Sequence, residues 1–270
     1  MITVAPSSTH SVRFELRDVC FAYEAEPVVT DLSCTIAAGE FVGIIGSNGA
    51  GKTTLIRLLS GMLTPQAGVV LASGTAVTTL DARERARRIA LVPQNESVVF
   101  PWSVFTMVLL GRHPHRSGLG FERPDDYAAA RAAMVHMEIA HLAERSVLDL
   151  SGGELHRVII ARALAQDTPV LLLDEPSAHL DIRHQVALFE LLSRLHAQEG
   201  RTVVIITHDL NLAGLYCDRI MLMDRGEIAA FASPAEVLRE DIIARHFGVQ
   251  VSIGTDTDTG RPLMRLRRPS

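Results

Sequence analysis

The chain has 270 residues, 47% of them hydrophobic and 21% charged, with a formal net charge of −5. That balance suits a globular protein able to bury a large core, and it lacks the basic surplus of a sequence-independent nucleic-acid binder. Three cysteines, Cys20, Cys34 and Cys217, lie without metal-ligand spacing, and an odd count fits a reducing compartment better than a disulfide framework.

Residues 1–13 carry Pro, Ser and His but no basic stretch followed by an apolar one, so they do not read as a signal peptide. Residues 12–21 and 41–45 are strand-like, and 52–59 have the spacing of a helix. The turn-like Ala37-Ala38-Gly39 between the two strands allows an antiparallel edge sheet. Residues 89–92, 170–174 and 203–206 read as short buried strands, with a helix over 185–196. Strands alternating with helices predict a mainly parallel sheet covered on both faces. Between Gln94 and Leu150 the texture changes. Residues 103–111 and 125–139 look helical, separated by a Pro/Gly/His-rich connector over 113–124, and form a helical insert in the α/β core. Residues 223–228 read as a hairpin turn and 234–247 as one or two short helices. Residues 254–270 are polar and Arg-rich, a loose tail or one late strand. No apolar run approaches the ~20 residues that span a bilayer. A soluble chain is expected, serving a membrane only through a partner.

The strongest local signal is Gly46-Ser47-Asn48-Gly49-Ala50-Gly51-Lys52-Thr53, which matches the phosphate-binding loop G-x-x-x-x-G-K-[ST]. It follows an apolar strand and opens a helix. Glycines let successive backbone N–H groups turn inward around phosphates, and the helix N-terminus adds its positive end. Lys52 supplies a mobile cation for the β- and γ-phosphates, and the Thr53 hydroxyl can ligate Mg²⁺. A second signal is Val170-Leu-Leu-Leu-Asp174-Glu175, a buried strand ending in two carboxylates. Strand alternation points them to different sides. Asp174 can then hold Mg²⁺ while Glu175 takes a proton from the attacking water.

With these motifs in order, the chain resembles the ABC ATPase family over nearly its whole length. Leu150-Ser151-Gly152-Gly153-Glu154 is similar to that family's signature motif and precedes a helical run; Ser151 there is also a natural N-cap. The resemblance implies an α/β P-loop NTPase core with an antiparallel β edge subdomain and an inserted helical subdomain. One ABC ATPase domain would cover residues 1–250, its core at 1–95 and 151–250 and its helical subdomain at 96–150, with 251–270 as a C-terminal tail. It further implies ATP and Mg²⁺ as ligands. Glu175, His208, Gln94 and Lys52 would be catalytic. Tyr23 would stack on adenine, residues 46–53 with Thr54 would bind the phosphates, and Ser151, Gly152, Gly153 and Glu154 would meet the nucleotide of a second copy. Thr53, Gln94 and Asp174 would serve the metal. Gln94 would be the Q-loop, residues 177–181 the D-loop, and His208 a contact to the γ-phosphate.

Departures from the family pattern are Glu154 where Gln is common, Leu155-His156 in place of a polar pair, and Ser47 where Pro is frequent. None removes a group the chemistry needs. His113 and His115 flank a proline without a third ligand at recognisable spacing, and Arg265, Arg267 and Arg268 read as solvated.

The stretches Leu91-Val-Pro-Gln94, Phe100-Pro101-Trp102 and Leu110-Gly-Arg-His-Pro-His115 resemble the ATPases of iron–siderophore, haem and cobalamin importers, as does Asp181-Ile-Arg-His-Gln185. The implied assembly is two copies around ATP beneath membrane permease subunits, fed indirectly by a substrate-binding protein, at the cytoplasmic face of the plasma membrane. No nucleic-acid partner is expected. The apolar segment 97–115, which follows Gln94, is the expected permease-docking surface. Two rivals stand beside this reading: a soluble ABC ATPase acting on ribosomes or DNA, and an importer or exporter ATPase with another cargo. The first would show a second cassette, a long coiled coil or a zinc module, and none is visible.

Overall fold

The computed structural model describes residues 12–96, 98–116, 121–178 and 180–267. Its strands are β1 (Val12–Tyr23), β2 (Glu26–Ala37), β3 (Phe41–Gly46), β4 (Ala67–Ala72), β5 (Thr75–Ala76) and β6 (Ile89–Val92), then β7 (Val170–Asp174), β8 (Thr202–Ile206), β9 (Arg219–Asp224), β10 (Glu227–Ala232), β11 (Val251–Thr255) and β12 (Pro262–Leu266). The helices are α1 (Lys52–Leu59), α2 (Ala82–Arg88), α3 (Val104–Leu109), α4 (Pro124–His136), α5 (Gly152–Ala165), α6 (Ile182–Glu199), α7 (Leu210–Tyr216), α8 (Pro234–Val237) and α9 (Glu240–Phe247).

The central sheet has the order β10-β9-β3-β8-β7-β6, with only the β10–β9 pairing antiparallel. Its middle strands are buried on both faces, so they are apolar apart from Thr202 at the start of β8 and Asp174 at the end of β7. The period of two divides them cleanly. Val42 and Ile44 of β3, Leu172 of β7 and Val204 and Ile206 of β8 face a core shared with α1 and the strands β1 and β2. Phe41, Ile45, Leu171, Leu173, Val203 and Ile205 face the opposite core, built with α3, α4, α5 and α6.

The second sheet runs β2-β1-β4-β5 and is antiparallel. It holds an edge position as expected, but its partner for β1 is β2 rather than the strand 41–46. Ala38-Gly39 carries the chain out of this sheet into the middle of the other. The reason is burial: Phe41 to Gly46 are all buried, which only a central strand provides, whereas β2 is buried only at Val29, Leu32 and Ile36.

Of residues 254–270, read as a loose tail or one late strand, those described hold one whole strand, β12; with β11, a strand that begins before them at Val251, it forms a hairpin. Its inner positions explain this: Val251 is buried, Ile253 and Met264 pack on the same core, and the Asn211 side chain brackets Met264 by accepting from its N–H (2.8 Å) and donating to its carbonyl (3.3 Å). The helix expected over 103–111 is shorter, since α3 passes at Leu110 into a 3₁₀ turn that runs to His115. Gly111 is required there, because a Cβ would stand 2.2 Å from the carbonyl oxygen of Arg162.

Candidate active site at the carboxyl ends of the parallel strands

Because β3, β6, β7 and β8 run in one direction, the residues that follow them emerge together at one edge of the sheet. That edge is where ligands bind in open α/β folds. Gly46 ends β3, Gln94 follows β6, Asp174 ends β7 with Glu175 just after it, and His208 follows β8.

The loop from Gly46 to Gly51 is built from glycine geometry. Gly46, Gly49 and Gly51 have φ of 147°, 80° and 94°, and a Cβ at Gly51 would lie 2.7 Å from the Val28 carbonyl oxygen. Substituted residues would be strained at these angles. Ser47, Asn48 and Gly49 are exposed at the loop's crown, while Ala50 is buried. The turn between β9 and β10 braces the loop from behind, with the Gly226 N–H donating to the Ala50 carbonyl (3.2 Å) and the Gly226 carbonyl accepting from Thr30 (3.0 Å).

Lys52, the first residue of α1, is 6% exposed. Its Nζ donates to the carbonyl oxygens of Gly46 and Ser47, both at 2.9 Å. Burial pulls its pKa down, and the nearby Glu175 and Asp174 charges oppose that. The ammonium is thus parked on the loop's own carbonyls, a short swing from any anion the loop encloses. Thr53 donates its hydroxyl to Asp174 Oδ1 (3.2 Å). Asp174 is buried, and that burial raises its pKa although the Thr53 hydrogen bond works the other way. Thr54 is buried in the first turn of α1.

Glu175 differs from the expectation. It does not continue the strand: its φ is 51°, in the left-handed region, immediately after β7 ends. Such a conformation costs roughly 1–3 kcal/mol and gathers at functional sites. The turn brings both carboxylates to one site instead of opposite faces. Glu175 Oε2 accepts from Gln94 Nε2 (2.8 Å) and Oε1 meets His208 Nε2 (2.8 Å). An ionised carboxylate only accepts, so His208 carries its proton on Nε2. A carboxylate held by two donors, beside a lysine and a second acid, can take a proton from a water placed between it and a phosphate.

Tyr23 lies at the end of β1, 42% exposed, and its hydroxyl accepts from Arg57 Nη1 (3.3 Å). Arg57 is one turn beyond Thr53 on α1, so the tyrosine stands near the loop. Ser151, Gly152, Gly153 and Glu154 are not part of this cluster. They form the N-terminus of α5, closed by a capping box. Glu154 Oε2 accepts from the Ser151 N–H (2.8 Å) and from the Ser151 hydroxyl (2.7 Å), and these hydrogen bonds hold its carboxyl below the usual range. Ser151 and Gly152 are exposed. Within the segment 177–181, His179 lies outside the described residues, as does Ser97 of the expected docking segment.

Two contacts were not read from the sequence. Gln185 donates to the carbonyls of Ser177 (3.0 Å) and Leu180 (2.9 Å), bracing that loop. Arg162, in α5, pairs with Glu96 just after Gln94. Gln185 entered the sequence reading only within Asp181-Ile-Arg-His-Gln185, with no role attached, and Arg162 has no signal beyond its polarity in an otherwise apolar helix.

The pattern of the ABC transporter family matches residues 29–178, a span that holds the phosphate-loop motif, Gln94, Ser151 and Glu175. The chain is 44% identical over 233 residues to the cobalamin import ATP-binding protein BtuD of Halobacterium salinarum, covering 86% of this chain but 58% of that protein. It is 39% identical over 257 residues to the ferric enterobactin transport ATP-binding protein FepC of Escherichia coli, covering 95% of each. Among solved structures it matches an inward-facing metal-chelate type ABC transporter with a TM-score of 0.80 and 26% identity, covering 96% of this chain and 98% of the other. With the phosphate loop, the acids after β7 and the capped Ser-Gly-Gly helix all in place, the chain belongs to the ABC transporter family.

Proposed function

We propose that this chain is the ATP-binding and ATP-hydrolysing subunit of an importer for a metal chelate, working from the cytoplasmic face of a membrane through permease subunits. The observation that carries it is the convergence of Lys52, Asp174, Glu175, Gln94 and His208 around one glycine-rich loop. Lys52 and the backbone of residues 46–53, with Thr54, hold the phosphates, and Tyr23 supplies a face for adenine. Thr53 and Asp174 are hard oxygen donors side by side, the set that suits Mg²⁺, and Gln94 completes it. Mg²⁺ held by these residues would supply charge neutralisation for the nucleotide phosphates. Glu175 accepts the proton of the attacking water, His208 and Gln94 keep its carboxylate aimed, and Lys52 leaves its loop carbonyls for the phosphates.

In this reading residues 1–250 form a single cassette, with its core at 1–95 and 151–250 and a helical subdomain at 96–150, and the β11–β12 hairpin belongs to the segment 251–270. Two copies pair around ATP, each lending Ser151, Gly152, Gly153 and Glu154 to the other. The exposed helix start at Ser151, outside the chain's own cluster, supports this. Docking to the permease rests on Val99, Phe100 and Trp102, which are 73%, 57% and 39% exposed, with Phe100 stacked on Trp102 at 5.4 Å. Val104 of the same segment is buried, and Val98 and Phe105 pack on the core, so the surface is narrower than the segment. Among the described residues no helix is long and apolar enough to cross a membrane, so passage of cargo falls to partners. The names of the cobalamin and ferric enterobactin relatives support a chelated metal as that cargo.

The test has two stages. ATP turnover and nucleotide affinity of the purified chain come first, and a folded chain that binds no nucleotide overturns the proposal. Co-purification with its permease then allows uptake assays over a panel of metal chelates and unrelated solutes; uptake of the unrelated solutes alone overturns the cargo assignment.

A further inference from the structure

The signature helix and the catalytic carboxylate are joined by a side chain that neither motif includes. His156, one of the departures from the family pattern, sits on α5 and is 6% exposed. Its Nε2 lies 2.6 Å from the carbonyl oxygen of Pro176. A carbonyl only accepts, so His156 is the donor, with its proton on Nε2. Pro176 follows Glu175 directly, and the bond therefore fastens the Pro176–Ser177 peptide, one residue beyond the glutamate held at φ 51°. That left-handed turn is unfavourable for a glutamate and needs an external hold. Gln94 and His208 hold the Glu175 side chain from the site; His156 anchors the next residue, Pro176, whose fixed backbone limits the turn at Glu175.

The next residue repeats the connection further along. Arg157 Nη1 stands 3.3 Å from His184 Nε2, and His184 Nδ1 lies 2.8 Å from Asp181 Oδ1, the N-cap of α6. Asp181 as an acceptor places the His184 proton on Nδ1 and leaves Nε2 to accept from Arg157. Two consecutive residues of α5 thus grip the segment after β7 at both ends, Pro176 and Asp181. His156 is five residues from Ser151, about 7.5 Å along the helix.

We infer that His156 is a positioning residue for Glu175, tying the aim of the catalytic carboxylate to the seating of the α5 N-terminus. The inference rests on the ATPase reading proposed above. When Ser151 engages a nucleotide from outside the chain, any shift of α5 reaches Pro176 through one short hydrogen bond, and Glu175 through the proline joined to it. Turnover is thereby linked to occupancy of the helix end.

The test compares His156→Leu, which removes the donor, with His156→Gln, which retains an N–H donor of similar reach. Steady-state ATPase kinetics and nucleotide affinity by calorimetry are measured on the full chain. Misplacing a catalytic group by about 1 Å can lower a rate ~10²-fold. His156→Leu is expected to lower kcat by about that factor with KM and nucleotide affinity within about twofold of wild type, and His156→Gln to recover most of it. A folded His156→Leu with wild-type kcat, a loss of affinity equal to the loss of kcat, or a Gln variant as poor as Leu would each overturn the inference. These outcomes are read against a wild-type chain that turns over ATP. A wild-type chain that binds no nucleotide sinks the ATPase reading itself, and the inference with it.

Discussion

Lys52 and Glu154 show how one charge is used twice. Lys52 is buried and rests on two carbonyl oxygens of its own loop, so its ammonium is already desolvated and, in the proposed role, would exchange those acceptors for phosphate oxygens. Lys52→Ala should weaken ATP binding by about 10- to 100-fold, the worth of a charge-assisted hydrogen bond of roughly 1.5–3 kcal/mol; calorimetry reads this directly. Glu154 occupies the donors of Ser151 that an incoming phosphate would use. Its carboxyl is held low by those bonds, so its capping is fully present above the ordinary carboxylate pKa and is lost as pH falls through the lowered folded value. Glu154→Gln keeps an acceptor for the cap and removes the negative charge. One charge at a helix N-terminus is worth about 0.3–1 kcal/mol. The variant should lose that much stability in urea unfolding while its apparent ATP affinity under dimerising conditions rises about two- to fivefold. Unchanged affinity would show that Glu154 swings clear of the phosphate at no cost.

At the scale of elements, the parts legible in the sequence were those whose residues state their own geometry. The glycines of 46–51 demand a phosphate-type loop, Ser151 a capped helix start, and the apolar 41–45, 170–173 and 203–206 buried parallel strands. What stayed hidden depends on partners distant in the chain. Strand 26–37 has an irregular pattern because its pairing with β1 breaks register several times. Asp174 and Glu175 read as alternating strand residues because nothing local announces the left-handed turn. The hairpin β11–β12 is polar on its outer side and packs through only a few positions. The turn between β9 and β10 read as a hairpin, but its contact with the phosphate loop was not visible. Gly226 has φ 83°, and a Cβ there would stand 2.7 Å from the Val28 carbonyl oxygen. Gly226→Ala should therefore cost about 1–3 kcal/mol of stability and also weaken nucleotide binding, since Ala50 loses its brace. Chemical unfolding and calorimetry on the same sample separate the two effects. A destabilised variant with intact affinity would show that the loop holds its shape unaided.

At the scale of the whole molecule, catalysis and association are one question, because the chain's own cluster lacks Ser151 and its neighbours. Glu175→Gln isolates association from turnover. The carboxylate accepts from two donors; a glutamine at 175 presents one acceptor and one donor. Gln94 can turn its amide to offer oxygen to the new N–H, so the site should close with little change in shape. Lys52, Thr53 and Asp174 are untouched, and nucleotide affinity should persist. Proton acceptance is lost, and general-base catalysis is typically worth ~10²–10⁴ in rate, so hydrolysis should fall by that range. Closure that no longer ends in cleavage must accumulate as a dimer holding two ATP molecules. Sedimentation of Glu175→Gln should therefore show dimer with ATP and monomer without it. In the same background, cysteines placed as S47C and S151C should crosslink between chains only when ATP is present, because the crown of one phosphate loop then faces the other copy's α5. A dimer that forms without this crosslink would mean that the copies meet through another surface. Near wild-type hydrolysis in Glu175→Gln would remove Glu175 as the base and make His208→Ala the more damaging substitution of the two.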